Sequence, residues 1–286
     1  CAVEGNFDDA QTGVKNIFAA CQGKDLPFRL SSANSINIGR LAPQIMYYFR
    51  SYRDLLDRGV ISLGDKVNFS VPTGNFGDIL AGYLAKKLGL PVGKLICASN
   101  ANNVLTDFLQ TGTYDRRRPL HKTASPSMDI LVSSNLERLL YFLSRDTALV
   151  ADLMKQLNTE GFYTVPASMK ESIDREFWAG CCDDAQAAKT IDKVWKENGY
   201  LCDTHTAVAY KVLCDYRAET GDNTPAVVVS TASPYKFCDA VLEALGDSPD
   251  FIRGLHAKAD IDEENRYMDI DLSGDEMGVL IGKRGQ

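Results

Sequence analysis

The sequence lacks several features that would restrict its function. No uninterrupted apolar stretch approaches the ~20 residues that a membrane-spanning helix needs. Its eight cysteines include no CxxC pair, and no Cys/His spacing typical of a metal site occurs. The net charge is −7, so the chain has no general basic surface for nucleic acid. We therefore expect a cytoplasmic protein with reduced thiols, without a metal, a membrane contact or a nucleic-acid partner.

The sequence also lacks a starting methionine, because Cys1 is followed directly by Ala-Val-Glu-Gly. We therefore expect the chain to begin inside a larger polypeptide. It has 286 residues, of which 45% are hydrophobic. Since a domain typically has ~100 to 200 residues, this length allows one large core or two moderate ones.

One predicted strand–loop–helix unit has the composition of an anion-binding site. Residues 67–71 predict a strand, residues 73–77 a glycine-containing turn, and residues 79–88 an apolar helix that Gly89 and Pro91 end. Free backbone N–H groups at a helix N-terminus favour a phosphate, and glycines let it come close. The alternative is an ordinary connection in which Asp78 caps the helix. So short a motif does not distinguish the two.

A second polar segment precedes a helix predicted from Pro43 to about Asp57. In this segment Asn34 and Ser35 offer neutral hydrogen bonds, while Arg40 offers a charged fork. Such a combination suits a second phosphate or a carboxylate. The alternative is that Asn34 and Ser35 are turn and cap residues and that Arg40 is a surface charge.

Further strands and helices predict an α/β fold. Buried strands at residues 94–100 and 225–229 end in polar residues, and a helix follows each of them. Successive units of this kind imply a parallel sheet covered on both faces, with ligands at the carboxyl ends of the strands. Ser230 and Thr231 would lie at that edge. His205 lies near the start of a predicted helix. A histidine at such a position is more often structural than catalytic, although its near-neutral pKa also makes it a candidate base.

Other segments are predicted with less consequence for the site. The apolar periodicity predicts helices at residues 10–20 and 183–198, a helix near residues 170–179, and short strands at residues 1–4 and 26–30. The polar and acidic segment beyond Ser248 is expected to lie on the surface.

Seven blocks, in order over residues 5–237, resemble the threonine synthase family. The blocks are residues 5–11, 33–40 with Gln44 and 47–49, 71–78, 125–130, 133–139, 204–207 and 230–237. The resemblance implies a pyridoxal 5′-phosphate (PLP) enzyme of fold type II, similar to the tryptophan synthase β chain, with a parallel sheet flanked by helices. Residues 1–40 would be a remnant of the smaller domain. Residues 41–286 would form the large PLP-binding domain, with a helical insertion around residues 125–200.

The resemblance also implies an activity and a site. Enzymes of this family are carbon–oxygen lyases that convert O-phospho-L-homoserine and water into L-threonine and phosphate, and the family suggests a monomer or a homodimer. The positions that match the family's cofactor site are Gly74, Asn75, Phe76, Gly77 and Asp78, which would bind the cofactor phosphate, and Thr231, which would bond the pyridine nitrogen. The positions that match its substrate pocket are Asn34, Ser35 and Arg40.

The family's cofactor lysine has no match in this sequence. In the family it forms the internal aldimine from a Phe-Lys-Asp motif upstream of the first block, and this chain has no such motif. Lys236 matches a lysine with another role. We therefore assign no catalytic residue and expect the isolated chain to be inactive. The alternatives are a phospholyase acting on another phosphorylated amino compound, and an inactive homologue that only binds ligands.

Overall fold

The structure is a computed structural model. It describes residues 7–31, 35, 37–246, 256–262 and 267–273. The strand predicted at residues 1–4 lies outside the described residues, and so does Asn34. None of the helices in the described ranges combines the length and the apolar character that crossing a membrane requires.

A four-stranded parallel sheet forms the centre of the fold, as predicted. The strands are β1 (Val67–Pro72), β2 (Val92–Ser99), β5 (Phe177–Cys181) and β6 (Ala226–Val228), while β3 (Thr113–Asp115) and β4 (Phe162–Thr164) form a separate antiparallel pair. The strand order in the sheet is β5-β2-β1-β6, and every neighbouring pair is parallel. All six residues of β1 are buried. A strand covered on both faces has this continuous burial.

Helices cover both faces of the sheet. The α-helices of the described ranges are, in chain order, α1 (Phe7–Cys21), α2 (Ile38–Leu41), α3 (Ile45–Asp57), α4 (Gly77–Lys87), α5 (Val104–Thr111), α6 (Leu136–Ser144), α7 (Thr147–Thr159), α8 (Ala167–Glu176), α9 (Asp184–Asn198), α10 (Thr204–Thr220) and α11 (Cys238–Leu245). Successive β2 residues contribute to two different cores: Leu95 packs with helices α4 to α8, whereas Ile96 packs with α9, α10 and α11. This alternation follows from the two-residue period of a strand.

Two predicted elements are wrong. The helix expected near residues 170–179 ends at Glu176, and Phe177–Cys181 is strand β5, which pairs with β2 from Leu95↔Phe177 onward. A short apolar run fits either a helix or a strand, and pairing with an existing sheet decided it. Residues 26–30 form no strand: Phe28 is 57% exposed, and among the described residues no strand pairs with this segment. A strand without a partner leaves its backbone groups unpaired.

The first and last described segments lie outside the sheet. Helix α1 forms where a helix is predicted, but its apolar residues Val14 and Ile17 are 43% and 55% exposed. The acidic C-terminal segment contains an antiparallel pair, β7 (His256–Asp262) with β8 (Tyr267–Ser273).

Candidate functional site

A cavity of about 740 Å³ opens at the carboxyl ends of β1 and β6. Its volume falls within the range of ~300 to 1,000 Å³ that is usual for small-molecule sites. The predicted cofactor residues Gly74, Asn75, Phe76, Gly77, Asp78 and Thr231 all line it, and so does Ser35. The structure therefore brings together residues that lie far apart in the sequence.

The predicted site is not assembled completely. Arg40 is in the last turn of α2 with an exposed side chain, and it is not among the described residues that line the cavity. Asn100, which directly follows β2, is also not a lining residue. Its side-chain amide donates to Thr123 Oγ1 and to Asp129 Oδ1, both at 2.8 Å. The cavity is thus formed by the ends of β1 and β6, without that of β2.

The glycine loop, residues 73–78, links β1 to α4 and presents free backbone donors. Within the described part of the chain, no acceptor is found for the backbone N–H groups of residues 74–79. The loop carbonyls point elsewhere: Gly74 O accepts from Ser133 Oγ at 2.9 Å, and Asn75 O accepts from Asn135 N at 3.1 Å. Free donors at the positive end of an 11-residue helix can hold an anion.

Helix α4 is not capped by Asp78, so the alternative of an ordinary strand–helix connection with Asp78 as the N-cap is wrong. Its N-cap residue is Phe76, which has φ 61° and makes no side-chain capping bond. A left-handed conformation is uncommon for a phenylalanine and costs energy, so the surroundings must enforce it. Phe76 is 1% exposed, and its ring lies 5.8 Å from that of Phe177. Burial of the ring therefore stabilises the bend that exposes the loop N–H groups.

Both glycines of the loop lie too close to neighbouring atoms to carry a side chain. A Cβ on Gly74 would lie 2.8 Å from the carbonyl oxygen of Ser127, and a Cβ on Gly77 would lie 2.7 Å from Ser35 Oγ. Neither glycine has a positive φ. Close approach, and not backbone conformation, is therefore the reason for glycine at these positions.

Asp78 faces Tyr48 on helix α3. The Tyr48 hydroxyl lies 3.0 Å from Asp78 Oδ1 and 2.8 Å from Asp78 O. Burial raises the pKa of the Asp78 carboxyl, although the hydrogen bond from Tyr48 acts in the opposite direction. Burial, and then the charge of Asp78, raise the pKa of Tyr48 well above its usual range. The phenol therefore keeps its proton and remains a donor.

His205 lines the cavity, with both ring nitrogens in hydrogen bonds. Nδ1 lies 3.2 Å from Asp203 Oδ1, and Nε2 accepts from the backbone N–H of Ser127 at 3.3 Å. The side chain is 2% exposed. Burial acts to raise the pKa of Asp203, but hydrogen bonds from His205 and Thr206 lower it overall. These contacts favour the structural interpretation, because His205 holds the turn that packs against Gly74.

Sequence reasoning missed several residues at this site. Asn135 donates to Ser35 Oγ at 3.0 Å, and Arg138 donates to Ser35 O at 2.9 Å. Gln44 lines the cavity, and its buried Oε1 has no hydrogen-bond partner in the described part of the chain. Lys236 also lines the cavity. All four lie in or beside the blocks that carry the family resemblance, which was the available signal, but their contacts depend on folding.

No metal site accompanies the cavity in the part of the chain that the structure describes. Within the described ranges, no three His, Cys, Asp or Glu side chains are grouped in a way that could bind a metal ion. The seven cysteines in those ranges are free.

Comparisons with known proteins agree on one family. Residues 206–274 match the family model "Threonine synthase, C-terminal". The chain is 43% identical over 256 residues to threonine synthase-like 1 of Homo sapiens, covering 85% of this chain and 33% of that protein. It is 42% identical over 253 residues to threonine synthase of Pseudomonas aeruginosa, covering 87% and 51%.

Solved structures give the same result. The PLP-bound threonine synthase of Brucella melitensis matches with a TM-score of 0.75 and 43% identity, over 87% of this chain and 52% of that one. Yeast threonine synthase matches with a TM-score of 0.75 and 37% identity, over 86% and 50%. The chain thus spans about half the length of these threonine synthases, and about a third of the threonine synthase-like 1 proteins. The fold expected from the sequence, a fold type II parallel sheet flanked by helices, is confirmed.

Proposed function

We propose that the chain is the cofactor- and substrate-binding part of a threonine synthase, because residues 206–274 match the C-terminal model of that family and the chain is similar to threonine synthases, one of them solved with PLP bound. The complete enzyme would convert O-phospho-L-homoserine and water into L-threonine and phosphate. The observation that carries the proposal is the set of backbone N–H groups at residues 74–79 that have no acceptor among the described residues, because these residues line the same cavity as Thr231.

The residues around the cavity fit PLP. The N–H groups of the glycine loop and the α4 dipole would hold the cofactor phosphate without a lysine. The Thr231 hydroxyl would bond the ring nitrogen, where a neutral group does little to keep that nitrogen protonated. Room for the phosphate requires glycine at positions 74 and 77, because side chains there would displace Ser127 and Ser35. When bound, PLP supplies an electron sink that acidifies the C–H bond beside the substrate's amino group.

The chain's own residues would bind and orient the phosphorylated substrate. The Lys236 ammonium lines the cavity and would complement the charge of a substrate phosphate. Ser35, which Asn135 and Arg138 hold in place, and the unpaired Gln44 Oε1 would supply neutral hydrogen bonds. For Arg40 and Asn34 we propose the role that the family resemblance implies, which is to bind the substrate. Enclosure by Tyr48 and Phe69 would limit access of water.

A phospholyase that acts on another phosphorylated amino compound is the second candidate. The observation that favours it is the 43% identity to the human protein named threonine synthase-like 1 rather than threonine synthase. Both candidates use the same glycine loop. They differ in the substrate, and therefore in the product.

The test separates cofactor binding from turnover. Pyridoxine 5′-phosphate carries the ring and phosphate of PLP but no aldehyde, so its titration by calorimetry reports the non-covalent contacts with the glycine loop and Thr231, without attachment to a lysine. The chain should bind it, and Gly74→Ala should weaken binding at least about tenfold. Turnover is then measured with the chain joined to the part of the P. aeruginosa enzyme that precedes its region of similarity.

The products distinguish the candidates. Threonine and phosphate formed from O-phospho-L-homoserine support the first. Phosphate released only from another phosphorylated amino compound supports the second. Cofactor binding without any turnover of the joined protein would contradict both and leave a homologue that only binds ligands.

A further inference from the structure

A second cavity, of about 290 Å³, lies beside the segment that supports the glycine loop. Ser133 and Ser134 line it. The same two residues contact the loop: Ser133 Oγ donates to Gly74 O at 2.9 Å, and Ser134 Oγ donates to Asn75 Oδ1 at 3.3 Å. A molecule in this cavity would therefore touch side chains that hold the glycine loop.

Tyr163 provides an unused hydrogen-bonding group in this cavity. The residue lines the cavity and is 1% exposed, yet no partner for its hydroxyl is found among the residues that the structure describes. This hydroxyl is therefore available to a ligand in the cavity, which it can bond as a donor or as an acceptor. Burial, followed by Tyr114 and Glu137, raises the pKa of Tyr163 well above its usual range, so the phenol stays neutral.

Tyr163 is also connected to the glycine loop through Tyr114. The two rings stack at 5.4 Å with an interplanar angle of 5°. The Tyr114 hydroxyl accepts from Ser133 N at 2.9 Å and donates to Leu131 O at 3.0 Å. A shift of Tyr163 would thus reach Ser133, which bonds Gly74, through packed and hydrogen-bonded groups.

The remaining lining residues define the ligand's chemistry. Glu137 supplies a carboxylate, and Ser134 and Asn158 supply neutral polar groups. The apolar lining includes Leu136, Met154 and Leu157. Glu137 and Asn158 are exposed, so the cavity is accessible to solvent. Arg116 contacts the backbone oxygen of Asn158 at 3.4 Å but does not line the cavity. A negative charge beside an apolar surface suits a small cation with an aliphatic body.

We propose that this second cavity binds a small aliphatic primary amine, with its ammonium group between Tyr163 Oη and the Glu137 carboxylate, and that binding orders the glycine loop. The amine can be a simple alkylamine or an amino acid with an aliphatic side chain, since both present an ammonium group on an aliphatic body. The site is separate from the cofactor cavity, so the proposal does not require the proposed reaction.

Calorimetric titration with isoamylamine tests the site. L-leucine has the same aliphatic body plus a carboxylate, and isoamyl alcohol has that body without the charge. Isoamylamine should bind at least about fivefold more tightly than the alcohol. If L-leucine binds more tightly than isoamylamine, the ligand class is an amino acid. If L-leucine binds more weakly, the ligand class is a simple alkylamine. Equal binding of amine and alcohol, or no binding of either, would overturn the proposal.

Matched variants locate the binding. Tyr163→Phe keeps the ring stack and removes the hydroxyl, and Glu137→Gln removes the charge; each should weaken isoamylamine binding about fivefold. Tyr141→Phe and Glu160→Gln change residues that do not line the cavity and should leave binding unchanged.

Hydrogen exchange then measures the effect on the loop: amides of residues 74–79 should exchange more slowly with isoamylamine bound. Unchanged exchange would refute the effect on the loop, and normal binding by Tyr163→Phe would refute the site.

Discussion

A Cβ on Gly77 would lie 2.7 Å from both Cβ and Oγ of Ser35. Gly77 lies in the glycine loop and is the first residue of α4, and Ser35 belongs to the polar segment before α3. Their packing brings the proposed cofactor loop and the proposed substrate segment into direct contact. Asn135 reinforces this contact, because its side-chain amide donates to Ser35 Oγ at 3.0 Å and to Asn75 O at 2.9 Å.

Gly77→Ala should weaken binding of pyridoxine 5′-phosphate at least about tenfold, because the new methyl group displaces Ser35 or the loop. Calorimetry measures the dissociation constant. Gly13→Ala is the control, since a Cβ at Gly13 meets nothing within 4 Å. The double variant Gly77→Ala, Ser35→Gly should recover part of the affinity. If Gly77→Ala alone binds normally, the contact with Ser35 does not position the loop.

Asp78→Asn should stabilise the protein increasingly as the pH rises. Burial raises the pKa of Asp78 in the folded state, so the folded protein favours the protonated carboxyl. Ionising Asp78 in the folded protein therefore lowers the free energy of unfolding. This loss is absent below the pKa that Asp78 has in the unfolded chain, and it is complete above the pKa that Asp78 has in the folded protein. Asparagine does not ionise, so the variant avoids the loss. Urea unfolding of both proteins between pH 4 and pH 7 measures the difference. Tyr48→Phe should steepen the pH dependence, because it removes a hydrogen bond that lowers this pKa. A constant difference across this range would contradict the prediction.

Asp222→Asn should show the opposite dependence on pH. Hydrogen bonds from Thr224, Tyr216 and Asn68 hold the pKa of Asp222 well below its usual range. The carboxylate therefore contributes stability above the unfolded pKa, and this contribution is lost as the pH falls toward the folded pKa. The substitution should cost about 1 kcal/mol at pH 7, a value reduced for solvent exposure, and less at pH 4. Urea unfolding at the two pH values checks this. A larger loss of unfolding free energy at pH 4 than at pH 7 would contradict the prediction.

The 286-residue chain should not attach PLP covalently at a defined lysine, because it has no match to the family's cofactor lysine. The measurement is borohydride reduction after incubation with PLP, followed by peptide mass spectrometry. Lys236→Met is the informative variant, since Lys236 lines the cavity. Stoichiometric labelling of Lys236 in the native chain, lost in this variant, would show that the chain supplies its own attachment site.

Cys97, Cys182 and Cys202 should resist alkylation in the folded protein. Burial raises the pKa of Cys97 and of Cys182 to about 12 and that of Cys202 to about 11, so little thiolate forms at pH 8. Cys181 and Cys214 are exposed and should react before these three buried thiols. Iodoacetamide treatment with peptide mass spectrometry follows each site, and unfolding in urea should equalise the rates. Equal rates in the folded protein would contradict the burial of these thiols.

The sequence determined the elements whose signals are local. The apolar run of β1, the two glycines and the apolar α4 predicted the glycine loop, because strand periodicity and helix termini are encoded within a few residues. The blocks around Thr231 and Ser35 were also recognisable. Family resemblance then predicted the fold and PLP as the family cofactor, and both are confirmed.

Tertiary structure alone decided which distant residues meet. It made Phe177–Cys181 a strand by pairing it with β2, and it left Arg40 outside the cavity that Ser35 lines. The tertiary structure also makes Phe76, and not Asp78, the N-cap residue of α4, because burial of the Phe76 ring outweighs an unfavourable backbone conformation. Each outcome depends on packing between segments far apart in the chain, and local composition does not encode that packing.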